Sequence, residues 1–253
     1  MTPPNDRYFA SERLDMLPHI PAVDSYLDVG CAEGRFAGHL KARRPGSVVW
    51  GIEPDPEAAA EAAGRIDHVV RGTFPQCLPE VDRRFACIVC NDVLEHMVDP
   101  WGACEEFAAR LEPGGTLVAS IPNIRNLATL SQLALKGRWD YVPAGVLDRT
   151  HLRFFTRATI IEMFEAAGFS VESVTGSWPL TTVKMRVLRA AVWCVRPGLA
   201  REGAFRQYVV VARQRAQDSA GSDAVTPFSG SSGEPAGGGT GVPPAPSPKR
   251  RYR

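Results

Sequence analysis

The sequence predicts an α/β fold built on a doubly wound, mostly parallel sheet of seven strands. Short apolar runs alternate with segments of helical periodicity through most of the chain. The runs are continuously apolar, which is typical of parallel strands that helices cover on both faces. At 253 residues and 44% hydrophobic content, the chain is long enough to bury one substantial core.

The elements follow one another in a regular order. The predicted strands are SYLDVG, VVWGIE, HVV, FACIVCN, GTLVASIP, FSVESV and QYVVVAR. Helical periodicity predicts helices over Arg35 to Arg44, Pro56 to Arg65 and Pro100 to Leu111. A further helix is predicted over TIIEMFEAAG, and Gly168 is a suitable residue just past its end.

A long insertion, about residues 123–155, follows the fifth predicted strand. It contains the helix-like RNLATLSQLALKG and a segment rich in aromatic, Arg and Asp residues. Loops of this length in compact domains are usually binding elements, and ligands of open α/β sheets bind beyond the carboxyl ends of the strands. We therefore predict a lid, in which Trp139 and Tyr141 either stack on a ligand ring or pack the lid itself.

The folded domain is predicted to cover residues 1–213 and a disordered tail residues 214–253. From about Asp218 onward the sequence is dominated by Gly, Ser, Pro and Ala and has almost nothing to bury. The tail ends in a short basic cluster, Lys249 to Arg253, for which a solvated state is favoured over contact with an acidic surface.

Composition narrows the choice of partners and compartment. A formal net charge of +1 gives no bulk electrostatic case for nucleic acid or an anionic membrane as the main partner. The six cysteines lie in a chain too large to need a disulfide framework, which suggests a reducing compartment. Cys87 and Cys90 fall on opposite faces of one buried strand, so structural cysteines are favoured over a metal or redox pair.

We consider next whether the sequence contains a targeting signal or a membrane span. The charged N-terminus does not read as a signal peptide, and no run reaches the length of a bilayer span. We therefore expect a cytoplasmic protein. The helical segment 181–197 mixes apolar residues with Lys and Arg, and a helix on the sheet edge or in a homodimer is favoured there over a membrane surface.

The turn within YLDVGCAEGRF is the first candidate binding site. A glycine turn between a strand and a helix allows a ligand close to the backbone, and Glu53 at the end of the second strand can accept hydrogen bonds from ribose hydroxyls. These two features predict an adenosine cofactor. Gly30 and Gly34 lack the Gly-x-Gly-x-x-Gly spacing that a pyrophosphate requires, and the carboxylate of Asp28 is better placed beside an ammonium or a sulfonium. The charge therefore favours S-adenosylmethionine over a dinucleotide.

Four motifs, LDVGCAEG, GIEPD, NDVLEHMVDP and LEPGGTLVASIPN, resemble the successive cofactor-binding motifs of class I S-adenosylmethionine-dependent methyltransferases. The resemblance covers roughly Tyr8 to Arg213 and implies the Rossmann-like methyltransferase fold. The segment LDRTHLRFFTRATIIEMFEAAGF resembles a branch of bacterial small-molecule methyltransferases associated with surface polysaccharide, sugar or natural-product pathways.

The resemblance assigns roles to individual positions. Asp28 lies near the amino group of the cofactor, Glu53 holds the ribose, and Asn91 and Asp92 face the methionine moiety or the acceptor. Ala32 stands in place of the family's middle glycine and should be tolerated if its backbone angles are ordinary. The implied cofactor site consists of Asp28, Gly30, Cys31, Ala32, Gly34, Glu53, Pro54, Thr73, Phe74, Asn91 and Asp92, with Pro54 and the backbone near Thr73 and Phe74 flanking the adenine.

An oxygen acceptor usually requires that its proton be removed, by a general base or beside a metal. We predict His151 as the base, with Asp148 orienting it, although a structural role in the lid is nearly as well supported. His96 is the second candidate. With Asp92 and Glu95 it could present a metal-binding face on one helical turn, as in metal-assisted members such as ubiquinone biosynthesis O-methyltransferases, but the non-metal interpretation is favoured.

The sequence therefore predicts a methyltransferase that acts on a hydroxyl of a small polar acceptor: a sugar, a natural product or a phenol. The alternatives are a nitrogen, carboxyl or nucleic-acid acceptor, or a non-catalytic protein of the same fold that binds an adenosine ligand. An NAD-dependent oxidoreductase is disfavoured because the dinucleotide glycine motif is missing.

Overall fold

The computed structural model describes residues 12–215 and contains seven strands and seven α-helices in that range. The strands are β1 (Ser25–Val29), β2 (Val48–Glu53), β3 (His68–Arg71), β4 (Phe85–Asn91), β5 (Leu111–Pro122), β6 (Phe169–Pro179) and β7 (Phe205–Gln214). The α-helices are α1 (Arg35–Arg43), α2 (Pro56–Ala62), α3 (Pro100–Arg110), α4 (Leu127–Lys136), α5 (Arg157–Ala166), α6 (Val183–Val195) and α7 (Pro197–Glu202). Short 3-10 helices cover Leu14–His19, Leu78–Glu80 and Leu94–His96.

The strands form one sheet in the order β3-β2-β1-β4-β5-β7-β6. Strands β1 to β5 pair in parallel, whereas β7 runs antiparallel to both β5 and β6. The predicted seven-stranded, mostly parallel α/β fold is confirmed, with one antiparallel strand. Tyr8 and residues 216–253 of the predicted tail lie outside the described residues, and the division into domain and tail stays a prediction.

The core lies on both faces of the sheet, because successive strand residues point to opposite sides. On one face, α3 and α5 cover Leu27, Ile88 and Leu117, and on the other face α1 covers Tyr26 and Val89. Cys87 and Cys90 divide in the same way between the two core clusters, and burial raises the pKa of both thiols. The prediction that these two cysteines lie on opposite faces is confirmed.

Side-chain caps define where most of the α-helices begin. In each case a carboxylate, amide or hydroxyl oxygen accepts a hydrogen bond from a free N–H of the first turn. The caps are Asp55 for α2, Asp99 for α3, Asn126 for α4, Thr156 for α5 and Thr182 for α6. Gly168, with φ of 91°, follows α5 as predicted.

The turn between β1 and α1 requires a left-handed backbone at three residues. Gly30 has φ of 72° and Gly34 has φ of 73°. A methyl group on Gly30 would lie 2.6 Å from a side-chain carbon of Val93, so glycine is required there for space as well. Ala32 also has positive φ, 48°. The prediction that Ala32 is tolerated assumed ordinary backbone angles, and this assumption is wrong. Ala32 lies in the left-handed region, where the Cβ atom of any residue other than glycine raises the conformational energy.

The insertion begins and ends at the sheet. Asn123, directly after β5, forms a bridge with Phe155, and the insertion between them contains α4. Near its end, the backbone N–H groups of Leu152 and Arg153 donate to the carbonyl oxygen of Glu95, at 2.8 and 3.0 Å. The C-terminal part of the insertion therefore lies on the Leu94–His96 turn that follows β4.

A buried ion pair ties the N-terminal segment to the sheet. The guanidinium of Arg13 contacts the carboxylate of Asp92, donates to the hydroxyl of Ser120 at 3.0 Å, and lies over the ring of Trp178. The side-chain amide of Gln207 also contacts Asp92. Burial works against the charge on Arg13, but the carboxylates of Asp92 and Asp15 together outweigh that effect, and the pKa of Arg13 is raised. The pair joins β4, β5 and β7 to the segment before β1.

Within residues 12–215, every helix is too short or too polar to cross a lipid bilayer.

Arg13→Met should lower the free energy of unfolding by about 3 kcal/mol, because it leaves the buried carboxylate of Asp92 without its cation. In the wild type, burial already raises the pKa of Asp92, although Arg13 opposes the shift; without Arg13 the folded state should hold a proton on Asp92 to a still higher pH. The loss should therefore be larger at pH 8 than at pH 5. Denaturant unfolding at both pH values measures this. Arg44→Met breaks only the exposed pair with Asp24 and should cost less than about 1 kcal/mol; equal losses in the two variants would contradict the role of Arg13.

Ala32→Gly should leave stability unchanged or raise it slightly, because the relief of positive φ offsets the extra entropy of glycine in the unfolded chain. Ala60→Gly, at an exposed position within α2, should instead cost about 1 kcal/mol. Thermal unfolding of both variants gives the comparison. A loss at position 32 as large as that at position 60 would show that the backbone there is not strained.

Candidate active site

The predicted cofactor residues meet at the carboxyl edge of the sheet. Asp28 lies near the end of β1, and Glu53 and Asn91 end the two strands that pair with it, β2 and β4. Because these strands are parallel, their carboxyl ends open on the same crevice. The structure therefore brings together three of the polar side chains that the sequence singled out.

Asp28 is a buried carboxylate that accepts no hydrogen bond from the described part of the chain. Its side chain is 2% exposed, and no hydrogen-bond donor among residues 12–215 reaches it. Burial, together with the neighbouring charge of Glu53, raises the pKa of Asp28 to about 8. An unpaired buried carboxylate is costly unless a positive group neutralises it. The position therefore fits a cationic ligand group such as an ammonium.

Glu53 is oriented by two backbone N–H groups. One of its oxygens accepts from Ala32 at 2.9 Å and the other from Asp55, also at 2.9 Å. Burial raises the pKa of Glu53, while these two hydrogen bonds oppose the shift. Each carboxylate oxygen retains a second lone pair that can accept a ribose hydroxyl. The strained turn at Ala32 thus holds Glu53 in place.

Of the other predicted cofactor residues, some are buried in packing contacts and some are exposed to solvent. Cys31 is buried against β2, where its sulfur would lie 2.5 Å from a methyl group on Gly51. The ring of Phe74 packs on Phe107, with 4.6 Å between centroids, so only its backbone is available to a ligand. A methyl group on Gly34 would lie 2.9 Å from the backbone of Ala62, so this glycine allows α1 and α2 to approach closely. Pro54 and Thr73 are exposed.

Asn91 and Asp92 differ in how their side chains are used. The side-chain oxygen of Asn91 is buried and accepts no hydrogen bond from the described residues. Asp92 has φ of 55°, and its carboxylate accepts from the hydroxyl of Ser120 at 2.9 Å in addition to its contacts with Arg13 and Gln207. The side-chain oxygen of Asn91 can therefore accept a hydrogen bond from a ligand, whereas the carboxylate of Asp92 already contacts Arg13, Ser120 and Gln207.

A second polar cluster lies beside this edge and consists of Glu95, His96 and His151. The rings of His96 and His151 meet edge to face, with 4.7 Å between centroids, and Nε2 of His151 lies 4.0 Å from a carboxylate oxygen of Glu95. Glu95 is 1% exposed, and both its carboxylate oxygens are buried without a hydrogen bond from the described residues. Burial, followed by the charge of Asp92, raises the pKa of Glu95 well above its ordinary value.

Backbone carbonyl groups orient both imidazoles. Nδ1 of His151 lies 3.1 Å from the carbonyl oxygen of Val146, and Nδ1 of His96 lies 3.3 Å from that of Thr150. A proton on Nδ1 satisfies each carbonyl and leaves Nε2 as the basic nitrogen. Burial and the neighbouring His151 lower the pKa of His96, which favours its neutral form.

Asp148 does not orient His151. Its carboxylate accepts from the backbone N–H of Thr150 at 2.8 Å and from the Thr150 hydroxyl at 2.7 Å, so it stabilises the turn before His151. Glu95 is the carboxylate that faces the imidazole. The structure thus assigns Asp148 a contact different from the predicted one.

The sequence also raised a metal-binding face of Asp92, Glu95 and His96 as the less favoured interpretation, and the structure rearranges it. Asp92 is held by Arg13, and residues 94–96 form a 3-10 turn. His151 takes the place of Asp92, and the ligand atoms of Glu95, His96 and His151 all lie within 4.8 Å of one another. One carboxylate and two imidazoles suit a divalent transition-metal ion.

Sequence reasoning did not identify Arg13 or Gln207. Their contacts with Asp92 span 79 and 115 residues, so no local motif indicates them. Glu95 was considered only as a metal ligand, and its contact with His151 depends on how the insertion folds back onto β4.

Comparison with known proteins identifies a family. The family profile described as "Methyltransferase domain" matches residues 5–174, more than half of the chain. A ubiquinone biosynthesis O-methyltransferase of Methylobacterium nodulans is 31% identical over 161 residues, which is 60% of this chain and 62% of the relative. One from Aeromonas salmonicida is 29% identical over 59% of this chain and 64% of the relative. The chain thus spans about three fifths of the length of these curated relatives.

Solved structures share the fold at low identity. A SAM-dependent methyltransferase from Archaeoglobus fulgidus superimposes with a TM-score of 0.58 at 16% identity, over 82% of this chain and 96% of that protein. The [4+2]-cyclase SpnF superimposes with a TM-score of 0.55 at 20% identity, over 81% of each chain. Because a cyclase is among these neighbours, the fold alone does not decide the reaction.

The matched family profile, the curated relatives and the shared fold agree with the cofactor crevice described above. The chain therefore belongs to the class I S-adenosylmethionine-dependent methyltransferases.

Proposed function

We propose that this chain transfers a methyl group from S-adenosylmethionine to a hydroxyl of a small polar acceptor, drawn from phenols, sugars and natural products. The observation that carries the proposal is His151, which the carbonyl oxygen of Val146 orients and which lies next to Glu95, beside the edge of the sheet that holds Asp28. The relatives named as O-methyltransferases support an oxygen acceptor.

A phenol is the favoured acceptor within this group. A histidine is a weak base, with an ordinary pKa of about 6.5, whereas a phenol has a pKa of about 10. The proton of a phenol is far easier for an imidazole to take than that of a sugar hydroxyl. His151 without further assistance therefore suits a phenol best.

Different side chains act on the cofactor and on the acceptor. The cofactor, when bound, supplies a methyl group on a positively charged sulfur. Asp28 would hold its ammonium group, and the free lone pairs of Glu53 would accept the ribose hydroxyls. Nε2 of His151 would take the proton of the acceptor hydroxyl as its oxygen receives the methyl group. A carboxyl oxygen of Glu95 lies 4.0 Å from this nitrogen.

A metal-assisted variant of the same reaction is the second candidate. Glu95, His96 and His151 could hold a divalent ion, and both imidazoles already have the carbonyl contacts at Nδ1 that fix ligand histidines. An ion at this position would lower the pKa of the acceptor hydroxyl.

Turnover with labelled S-adenosylmethionine tests the proposal. Phenols, catechols, sugars and carboxylic acids should be compared as acceptors, each with and without a chelator. A methyl ether of a phenol, formed in the presence of the chelator, is the expected product. Loss of activity on chelation and its return with a divalent ion would favour the metal-assisted variant. Methyl esters or methylamines as the only products would refute the hydroxyl acceptor.

His151→Gln should lower kcat by about 100-fold or more, because it removes the basic nitrogen, while the KM for S-adenosylmethionine should change little. Steady-state kinetics with a phenolic acceptor measures both quantities. His39→Gln, on the surface of α1, is the matched control and should leave kcat unchanged. A His151→Gln enzyme within threefold of the wild-type kcat would assign His151 a structural role.

Asp28→Asn should stabilise the unliganded protein, and increasingly so as the pH rises. The folded-state pKa of about 8 exceeds the unfolded value of about 4, so Asp28 lowers the free energy of unfolding as pH rises between these two values. The variant lacks this decrease and should be more stable by at least about 1 kcal/mol at pH 8. Denaturant unfolding at pH 5 and pH 8 measures the gain, which the exposed control Asp24→Asn should not show.

A further inference from the structure

The exposed apolar side chains of this protein are concentrated in one region. Thirteen large hydrophobic side chains are exposed within residues 12–215, and ten of them lie between residues 133 and 195. This range runs from the second half of α4 through the rest of the insertion, α5 and β6 to the end of α6. Scattered apolar residues are normal on a surface, but a concentration of this kind indicates an interaction site.

Helix α6 is the centre of this region and has no buried residue. Its inner side, with Met185 and Leu188, lies against α4 and is partly buried. Its outer side carries Val183 and Val187, one turn apart, which are 76% and 64% exposed, and Val195 at the end of the helix is 77% exposed. The helix therefore presents apolar side chains to solvent on the side away from the fold.

The charged side chains of α6 and its flanking residues are all basic. Between residues 173 and 201 the chain has five basic residues and no acidic residue. Lys184, Arg186 and Arg189 are exposed on α6 itself, and the guanidinium of Arg201 lies over the ring of Trp193. A whole-chain charge of +1 conceals this local excess of positive charge.

The topology places this segment near the carboxyl edge of the sheet. Strand β5 leads into α4 there, and β6 leads towards α6 at the same edge. Trp178, at the end of β6, contacts Arg13, which also holds Asp92. The exposed helix thus lies on the side of the sheet that carries the candidate active site.

We propose that α6 docks this protein onto the surface of an anionic lipid bilayer, with its valines among the upper acyl chains and its Arg and Lys side chains at the phosphates. Apolar residues flanked by cations are the pattern of helices that lie in a membrane interface. A second copy of the chain fits this surface poorly, because two faces of the same positive charge would repel. This inference does not depend on the proposed methyl transfer.

Vesicle sedimentation with the full-length chain, without cofactor, tests the proposal. Binding to vesicles of phosphatidylglycerol and phosphatidylcholine should be at least tenfold stronger than binding to phosphatidylcholine alone, since each cation near an anionic surface contributes about 1 kcal/mol. Arg186→Glu with Arg189→Glu should reduce binding at least tenfold, and so should Val183→Ser with Val187→Ser.

Matched controls are available elsewhere on the surface. Arg84→Glu and Val98→Ser change exposed residues of the same types and should bind like the wild type. Absence of binding by the wild type would refute the proposal, as would equal binding to both vesicle types. Undiminished binding by both α6 variants would refute it as well, and would assign membrane binding to another segment such as the basic C-terminal cluster.

Discussion

The buried carboxylate of Asp28 is the constraint on which the rest of the site depends. It lies on β1, the strand between β2 and β4, so neighbouring strands and helices exclude water from it. Glu53 adds a second negative charge nearby, which repels the charge of an ionised Asp28. No hydrogen-bond donor in the described part of the chain offsets this repulsion or the cost of burying the Asp28 carboxylate. The unliganded fold therefore has a site that a positive ligand stabilises, and the strained turn at Ala32 holds Glu53 beside it.

Much of the fold was predictable because it depends on local patterns. Apolar runs indicated the strands, and parallel pairing then placed Asp28, Glu53 and Asn91 at one edge. The antiparallel direction of β7 was not predictable in this way. It follows from the connection through α6 and α7, whose path no single periodicity specifies.

The acceptor side was less predictable because its contacts join distant segments. The motif at His151 indicated the residue but suggested Asp148 as its partner, whereas Asp148 is used by Thr150 and Glu95 faces the imidazole. Asp92 was expected to meet a ligand, and only the folded chain brings Arg13 to it. Positive φ at Ala32 is likewise a property of the turn and not of the residue type.

Calorimetry of S-adenosylmethionine binding at pH 7, in two buffers of different ionisation enthalpy, tests the central role of Asp28 most directly. With a pKa of about 8, Asp28 is mostly protonated in the unliganded protein at that pH. A cationic ligand should therefore displace nearly one proton on binding. We expect this release in the wild type and its absence, with weaker binding, in Asp28→Asn. Equal affinity in the two proteins, with no proton release in either, would contradict the account.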